Sequence, residues 1–359
     1  MNAAELIKKR KSRDLRSSLI TYGIVVVFYI VVQTMVNTGH ISSLMKGLLV
    51  PICVYVIAAV SLNLVVGISG ELSLGHAGFM CLGAYASTFF TNVVGDGLPE
   101  LPRFILAILI GACVAGFFGI LIGIPVLRLK GDYLAIVTLA FGEIIKNLMN
   151  VIYAGVDDGG LHFATTDSGL KLGEGGKKII KGALGISGTP KNSTFTIGIV
   201  LILITLFIVL NLINSRSGRA IMSTRDNRIA AESIGIPVTR FKLMAFSISA
   251  ALAGVAGVLY AHNLATLTVK KFDYNTSILI LVFVVLGGIG NIRGSMIAAV
   301  ILTALPEMLR GLSNYRMLIY AIVLIVLMLF NWAPAARAFR SRILEKLPFG
   351  RRNAEKEES

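Results

Sequence analysis

The chain has 359 residues, of which 55% are hydrophobic and only 15% charged. A soluble domain carries about 25% charged residues, so this composition excludes a water-soluble globular fold. The net charge of +15 could suit nucleic acid, but the basic residues gather in the N-terminal tail (Lys8 to Arg16), one central loop and the C-terminal tail (Arg337 to Lys356), as they do in a membrane protein with its positive loops on one side.

Apolar runs of about twenty residues recur, enough to cross a hydrocarbon core of about 30 Å at about 1.5 Å per residue. The runs are continuous rather than alternating, which excludes a β-barrel. The fold class is therefore all-α: a polytopic helical membrane protein. Residues 1–18 form a basic tail, and the first apolar run, 19–36, is too long for the core of a signal peptide and lacks a small-residue cleavage site, so it is read as an uncleaved span. Nine more spans follow, over 47–66, 76–94, 104–126, 132–152, 194–213, 243–262, 275–290, 295–310 and 315–331. The span 76–94 is Gly-rich and open to a break or a re-entrant path. With the N-terminus in the cytoplasm, the inner segments 1–18, 67–75, 127–131, 214–242, 291–294 and 332–359 hold 22 of the 34 Lys and Arg residues. An even number of spans returns both basic tails, 1–18 and 332–359, to that side of a transmembrane domain at 19–331. The cysteines, Cys53, Cys81 and Cys113, lie in apolar runs with no metal-ligand or disulfide spacing.

Within the spans, small residues recur at helical spacing: Ala115, Gly119 and Gly123, then Ala250 with Gly254 and Ala253 with Gly257. Such rows let helix backbones approach closely in lipid. The stretch 64–84 holds five glycines, with Ser69, Glu71, Ser73 and His76 near a membrane boundary. Irregular backbone there either packs as a tight turn or lines a translocation path. Asn63, Ser73, His76 and Glu143 are the candidate pathway residues. Glu143 shares a helix face with Lys146 at i, i+3, and either pairs with it structurally or faces water inside the bundle. Glu307 and Arg310 repeat that spacing near a boundary. On the outer side, 153–192 is a long polar insertion with Asp157-Asp158-Gly159-Gly160 and five lysines, read as short helices, as a cap facing the exterior or as a flexible connector.

The polar island 214–242 carries six Lys and Arg residues. Ser223-Thr224-Arg225-Asp226 fits a Ser/Thr-x-x-Asp/Glu helix start, predicting about three turns over 225–234. Gly235 suits the position after the helix, and Pro237 stops it. Ala230, Ala231 and Ile234 supply small and apolar surface. Such an element either docks on a partner protein or rests on lipid headgroups. The chain has no G-x-x-x-x-G-K-S/T phosphate loop, no H-E-x-x-H, no G-x-S-x-G and no paired membrane aspartates.

The segment R-D-N-R-I-A-A-E-S-I-G-I-P-V-T-R-F-K and the span after it resemble the coupling loop of branched-chain amino acid ABC importer permeases, most closely the M-type subunit of the permease pair. S-G-E-L-S-L-G-H-A-G-F-M-C-L-G-A-Y, V-L-R-L-K-G-D-Y-L-A-I-V-T-L-A-F-G-E-I and V-V-L-G-G-I-G-N-I-R-G-S agree, and the resemblance covers about residues 45–330. It implies an ABC importer permease fold of about ten transmembrane helices in the cytoplasmic membrane. It also implies a second homologous permease, two cytoplasmic ATP-binding subunits and an extracytoplasmic solute-binding protein, with ATP hydrolysis in the partner. No cofactor is implied. Arg225, Asp226, Arg228, Ala231, Glu232 and Gly235 would form the ATPase-coupling site, with Glu232 and Gly235 matching the family's loop pattern. The run after the fifth span, D-D-G-G-L-H-F, departs from that pattern and leaves the solute open. Urea, short amides or sugars on the same scaffold are the alternatives, as is a stand-alone secondary transporter or channel.

Overall fold

The computed structural model describes residues 3–39, 42–129, 131–157, 160–170, 172–173, 176–309 and 315–332. A helix occupies most of every predicted span among the described residues: α1 (Ala3–Asn37), α2 (Ser43–Asn63), α3 (His76–Val94), α4 (Glu100–Val126), α5 (Asp132–Val151), α6 (Phe195–Asn214), α9 (Val238–Ala261), α10 (Tyr274–Gly287), α11 (Ile292–Met308) and α12 (Arg316–Trp332). Seven of these, α1 to α6 and α9, are long and apolar enough to cross a membrane by themselves. Among the others, α10 has 14 residues and α11 and α12 have 17 each. Two short helices, α7 (Arg216–Asp226) and α8 (Arg228–Ser233), fill the polar island. The chain forms a main unit, residues 1–303, and a second unit, residues 304–359, whose described part comprises the end of α11 and α12.

Side chains write the helix starts. Ser42, Thr194, Ser215, Asn227 and Asp273 each accept a backbone N–H from the first turn of α2, α6, α7, α8 and α10, filling bonds the helix cannot supply. The core of the main unit is α2. Every residue from 52 to 69 is buried except Tyr55, because α6, α9 and α10 pack around it. A helix that is apolar all round belongs inside a bundle.

The small-residue rows lie where α3, α4 and α9 meet. A Cβ added at Gly83 would stand 2.4 Å from the Gly254 carbonyl oxygen, and one at Gly254 would stand 2.5 Å from Ala115 Cβ. One at Gly119 would stand 2.6 Å from Ala250 Cβ. The backbones thus touch through the glycines, as small residues permit in lipid. Gly254→Val must part α9 from α4 at a cost of about 1–3 kcal/mol or more. It is expected to lower the thermal midpoint of the detergent-solubilised chain, and an unchanged midpoint would contradict this packing.

Two features depart from the expected plan. First, α3 is one continuous helix, and the irregular backbone lies just before it. After Asn63 the chain widens into a π-helical turn, Leu64–Ser69, which Gly70 closes in the left-handed region at φ +75°. Residues 70–75 then run without helical structure to the start of α3. Leu74 N–H donates to Thr138 Oγ1 at 3.0 Å, and Thr138 lies about 9 Å along α5 from its first residue. The non-helical segment therefore re-enters the bundle, packed in protein as such backbone must be.

Second, the insertion after α5 forms strands rather than short helices. β1 (Tyr153–Asp157), β2 (Gly160–Ala164), β3 (Lys177–Lys181) and β4 (Ile186–Ser187) join β5 (Thr266–Leu267) in an antiparallel sheet of order β2-β1-β3-β4-β5. Ile186 faces Leu267 in register and both are buried. Because β1 follows α5 and β5 follows α9, the sheet ties the ends of these two helices to one face of the main unit. Their starts, with α7, α8 and Gly70, lie at the other.

Candidate coupling site and intramembrane polar residues

The polar island is a bent pair of helices, not the single helix expected over 225–234. Ser223 caps nothing: its hydroxyl donates to the Ala220 carbonyl inside α7 at 2.7 Å. The break falls at Asn227, whose backbone is extended (φ −152°, ψ 105°) and whose Oδ1 accepts Ala230 N–H at 3.0 Å. Asparagine competes well for this role because its short amide reaches the free N–H groups of a new turn. Ile221 and Thr224 anchor α7, Ile221 in an apolar cluster with Leu64, Ile68 and Ala245. At the far end of α8, Gly235 has φ +83°. Its N–H reaches the Glu232 carbonyl at 3.0 Å, and Ile236 N–H reaches the Ala231 carbonyl at 3.0 Å. These two bonds are the Schellman closure that a glycine at this position allows.

The six residues expected at the coupling site divide by direction. Ala231 is buried beneath α8. Arg228 Nε donates to Glu232 Oε1 at 2.9 Å across one turn of the surface. Arg225 turns back onto the bundle: Nη1 donates to the Gly67 carbonyl at 2.8 Å, while Nε and Nη2 hold Asp226 Oδ1 at 3.0 and 2.8 Å. What α8 offers outward is Ile229, 80% exposed, with Ile234, 74% exposed, at its end. Ile229 is not among the residues expected from the sequence, although a large apolar residue directly after Arg228 in a polar loop is a signal of its own.

Another missed contact joins the same region. Lys242, in the first turns of α9, pairs with Glu71 in the 70–75 segment, with side chains only 11% and 14% exposed. Farther in, Asn63 is fully buried. Its Nδ2 donates to Ser295 Oγ at 2.9 Å and its Oδ1 accepts Gly290 N–H at 2.9 Å. His76 is buried with Nε2 and Ser61 Oγ 2.7 Å apart, and Ser73 is buried in the extended segment beside it.

Glu143 and Lys146 form their i, i+3 pair and remain 29% and 20% exposed. Glu143 lies about 16 Å along α5. Asp273, at the start of α10, belongs to the same electrostatic neighbourhood. Burial pushes its carboxyl up, but hydrogen bonds from Asn275 and Thr276 and the charge on Lys146 outweigh this and hold it below the ordinary carboxylate range. The structure thus groups Glu143 and Lys146 with Asp273, while Asn63 is held at Ser295 and Gly290 and His76 at Ser61, with no bond joining Asn63, Ser73 and His76 among the described residues. Arg310 lies outside the described residues, and with it the expected pairing to Glu307. Among the described residues no three His, Cys, Asp or Glu side chains converge as metal ligands.

Residues 44–330 match the model of the family described as branched-chain amino acid transport system / permease component. The chain is 34% identical to the high-affinity branched-chain amino acid transport system permease protein LivM of Salmonella typhimurium, over 84% of this chain and 72% of that protein. It is 35% identical to LivM of Escherichia coli, over 78% of this chain and 67% of that one. It is 26% identical to the fructose import permease protein FruG of Bifidobacterium longum, over 82% and 84%. No solved structure matches. A helical bundle with apolar spans, a capped polar helix pair on one face and this match over most of its length make the chain a member of the branched-chain amino acid transport permease family, a membrane-spanning transport subunit.

Proposed function

We propose that this chain is the M-type permease of an ATP-driven importer that carries branched-chain amino acids across the cytoplasmic membrane. The face bearing α7 and α8 lies in the cytoplasm with both basic tails, 1–18 and 332–359, and the sheet face, within 153–192, lies outside. The observation that carries this reading is α8: a short helix fixed at both ends that presents isoleucines to solvent within the positively charged loop 214–242. Closure at both ends lowers the conformational entropy that α8 loses on entering a groove of a partner protein. The partner is a cytoplasmic ATP-binding subunit, present in two copies; α8 with Asp226, Arg228, Glu232 and Gly235 forms the surface that docks on it, and Arg225 belongs to the coupling site from its inner side, held against the bundle at Gly67. A second, homologous permease completes the passage, and an extracytoplasmic binding protein delivers the solute.

Glu143, with Lys146 and Asp273, faces the passage between the two permeases, where a partly exposed ion pair at membrane depth is tolerated. Asn63, Ser73 and His76 form its wall at the re-entrant segment. Support for the amino acid over a sugar comes from the higher identity to the LivM proteins than to FruG. Proteoliposomes holding the full set of subunits are expected to take up leucine, isoleucine and valine only with ATP and binding protein. Uptake of fructose or urea instead would replace the substrate. Uptake by this chain alone would replace the mechanism with a stand-alone carrier.

A further inference from the structure

We infer that Arg225 links the coupling helix to the α10–α11 turn through the π-helical turn at Gly67, so that α8 and that turn move as one body. The inference rests on the coupling role proposed for α8. Arg225 is two residues from Asn227, the residue that both ends α7 and caps α8, so a displacement of α8 acts directly on it. Asp226 grips its guanidinium by Nε and Nη2, which aims Nη1 at the Gly67 carbonyl.

That carbonyl is available for a reason. Gly70 and Glu71 N–H both go to the Val65 carbonyl, so Gly67 lies past the last helical bonding, where a carbonyl favours a cation. The stem of Arg225 also lies on Gly70, where an added Cβ would stand 2.4 Å from Arg225 Cγ. On its other side Gly67 meets the α10–α11 turn backbone to backbone: a Cβ there would stand 2.3 Å from Gly290 N. Asn63, one turn earlier, fastens the same turn at Gly290 N–H and at Ser295 in the first turn of α11.

The turn itself is stiff. Gly288 and Gly290 take φ +95° and +83°, and a Cβ at Gly287 would stand 2.3 Å from Ser295 N. A push on α8 therefore reaches α10 and α11 through the Arg225 side chain, which Asp226 holds at two nitrogens, then one amide and bare backbone. The far end of α10 begins at Asp273, within the field of Lys146, so this route ends beside the charged group proposed for the passage. Ser69 Oγ, in the π-helical turn, is buried without a hydrogen-bond partner.

The test uses the complete importer in proteoliposomes, with uptake and ATP hydrolysis measured separately. Arg225→Gln is expected to leave the ATPase bound and hydrolysing while uptake falls about tenfold, the equivalent of one charged hydrogen bond. Spin labels at positions 233 and 289 are expected to keep their separation in wild type when ATP is added, and to change it in Arg225→Gln. Normal uptake by that variant, loss of the ATPase from it, or a wild-type separation that shifts with ATP would each overturn the relay. Arg225→Gln transporting normally while Ile229→Asp/Ile234→Asp loses uptake would reject the relay and keep the coupling role. A double variant that keeps both its ATPase and its uptake would reject the coupling role itself.

Discussion

Aspartate at both Ile229 and Ile234 is expected to strip the ATP-binding subunit from the solubilised importer and to lower ATP-driven uptake by about a hundredfold or more. The two side chains are 80% and 74% exposed, so removing them costs the isolated chain about 0.5 kcal/mol or less. In a docked state each isoleucine buries its surface for about 1.5–3 kcal/mol, and a few such anchors dominate an interface. Carboxylates in the same groove add their own desolvation cost. Co-purification measures the docking, and radiolabelled leucine uptake measures its consequence. If α8 instead rests on lipid headgroups, the ATPase stays bound.

Lys242→Met is expected to destabilise the chain by about 3–5 kcal/mol, because it strands the Glu71 carboxylate in a nearly buried place. The pair fastens the re-entrant segment to the base of α9, with side chains 11% and 14% exposed. Glu71→Gln with Lys242→Met removes both charges and is expected to recover most of the loss, since two neutral groups there cost less than one unpaired charge. Thermal midpoints of the four proteins in the double-mutant cycle give the coupling directly. Additive losses would show that the pair contributes nothing of its own.

The sequence carries those parts of this molecule that repeat along a helix or stop one. The Ala115–Gly119–Gly123 row and its counterparts on α9 are readable because residues four apart share a face. Glu143 and Lys146 pair for the same reason, and Gly235 with Pro237 marks the end of α8 through backbone conformation alone. The Asp158-Gly159 pair between β1 and β2 is also a local signal for a hairpin, overlooked within a lysine-rich loop. The rest depends on partners distant in the chain. Arg225 reaches Gly67 across 158 residues and Gly290 reaches Asn63 across 227. Ile186 finds Leu267 only after α9 has crossed the bundle. Asn63 reads as a pathway residue by its polarity, but its bonds to Gly290 and Ser295 join positions far apart in the chain and have no local signal. Ser223 and Asn227 are competing capping signals four residues apart, and the burial of Gly218, Ile221 and Thr224, which carries α7 past Ser223, has no local signal. G-G-I-G reads as the end of a span, whereas glycines at φ +95° and +83° there make the turn that Asn63 holds.

The central claim is that α8 receives work done by another protein. A photoreactive benzophenone side chain at position 229, in the assembled importer in native membranes, tests it most directly. The account predicts one dominant cross-link, to the ATP-binding subunit, whose yield changes when ATP is added. Cross-linking to phospholipid or to the permeases alone, with no product on the ATP-binding subunit, would contradict it.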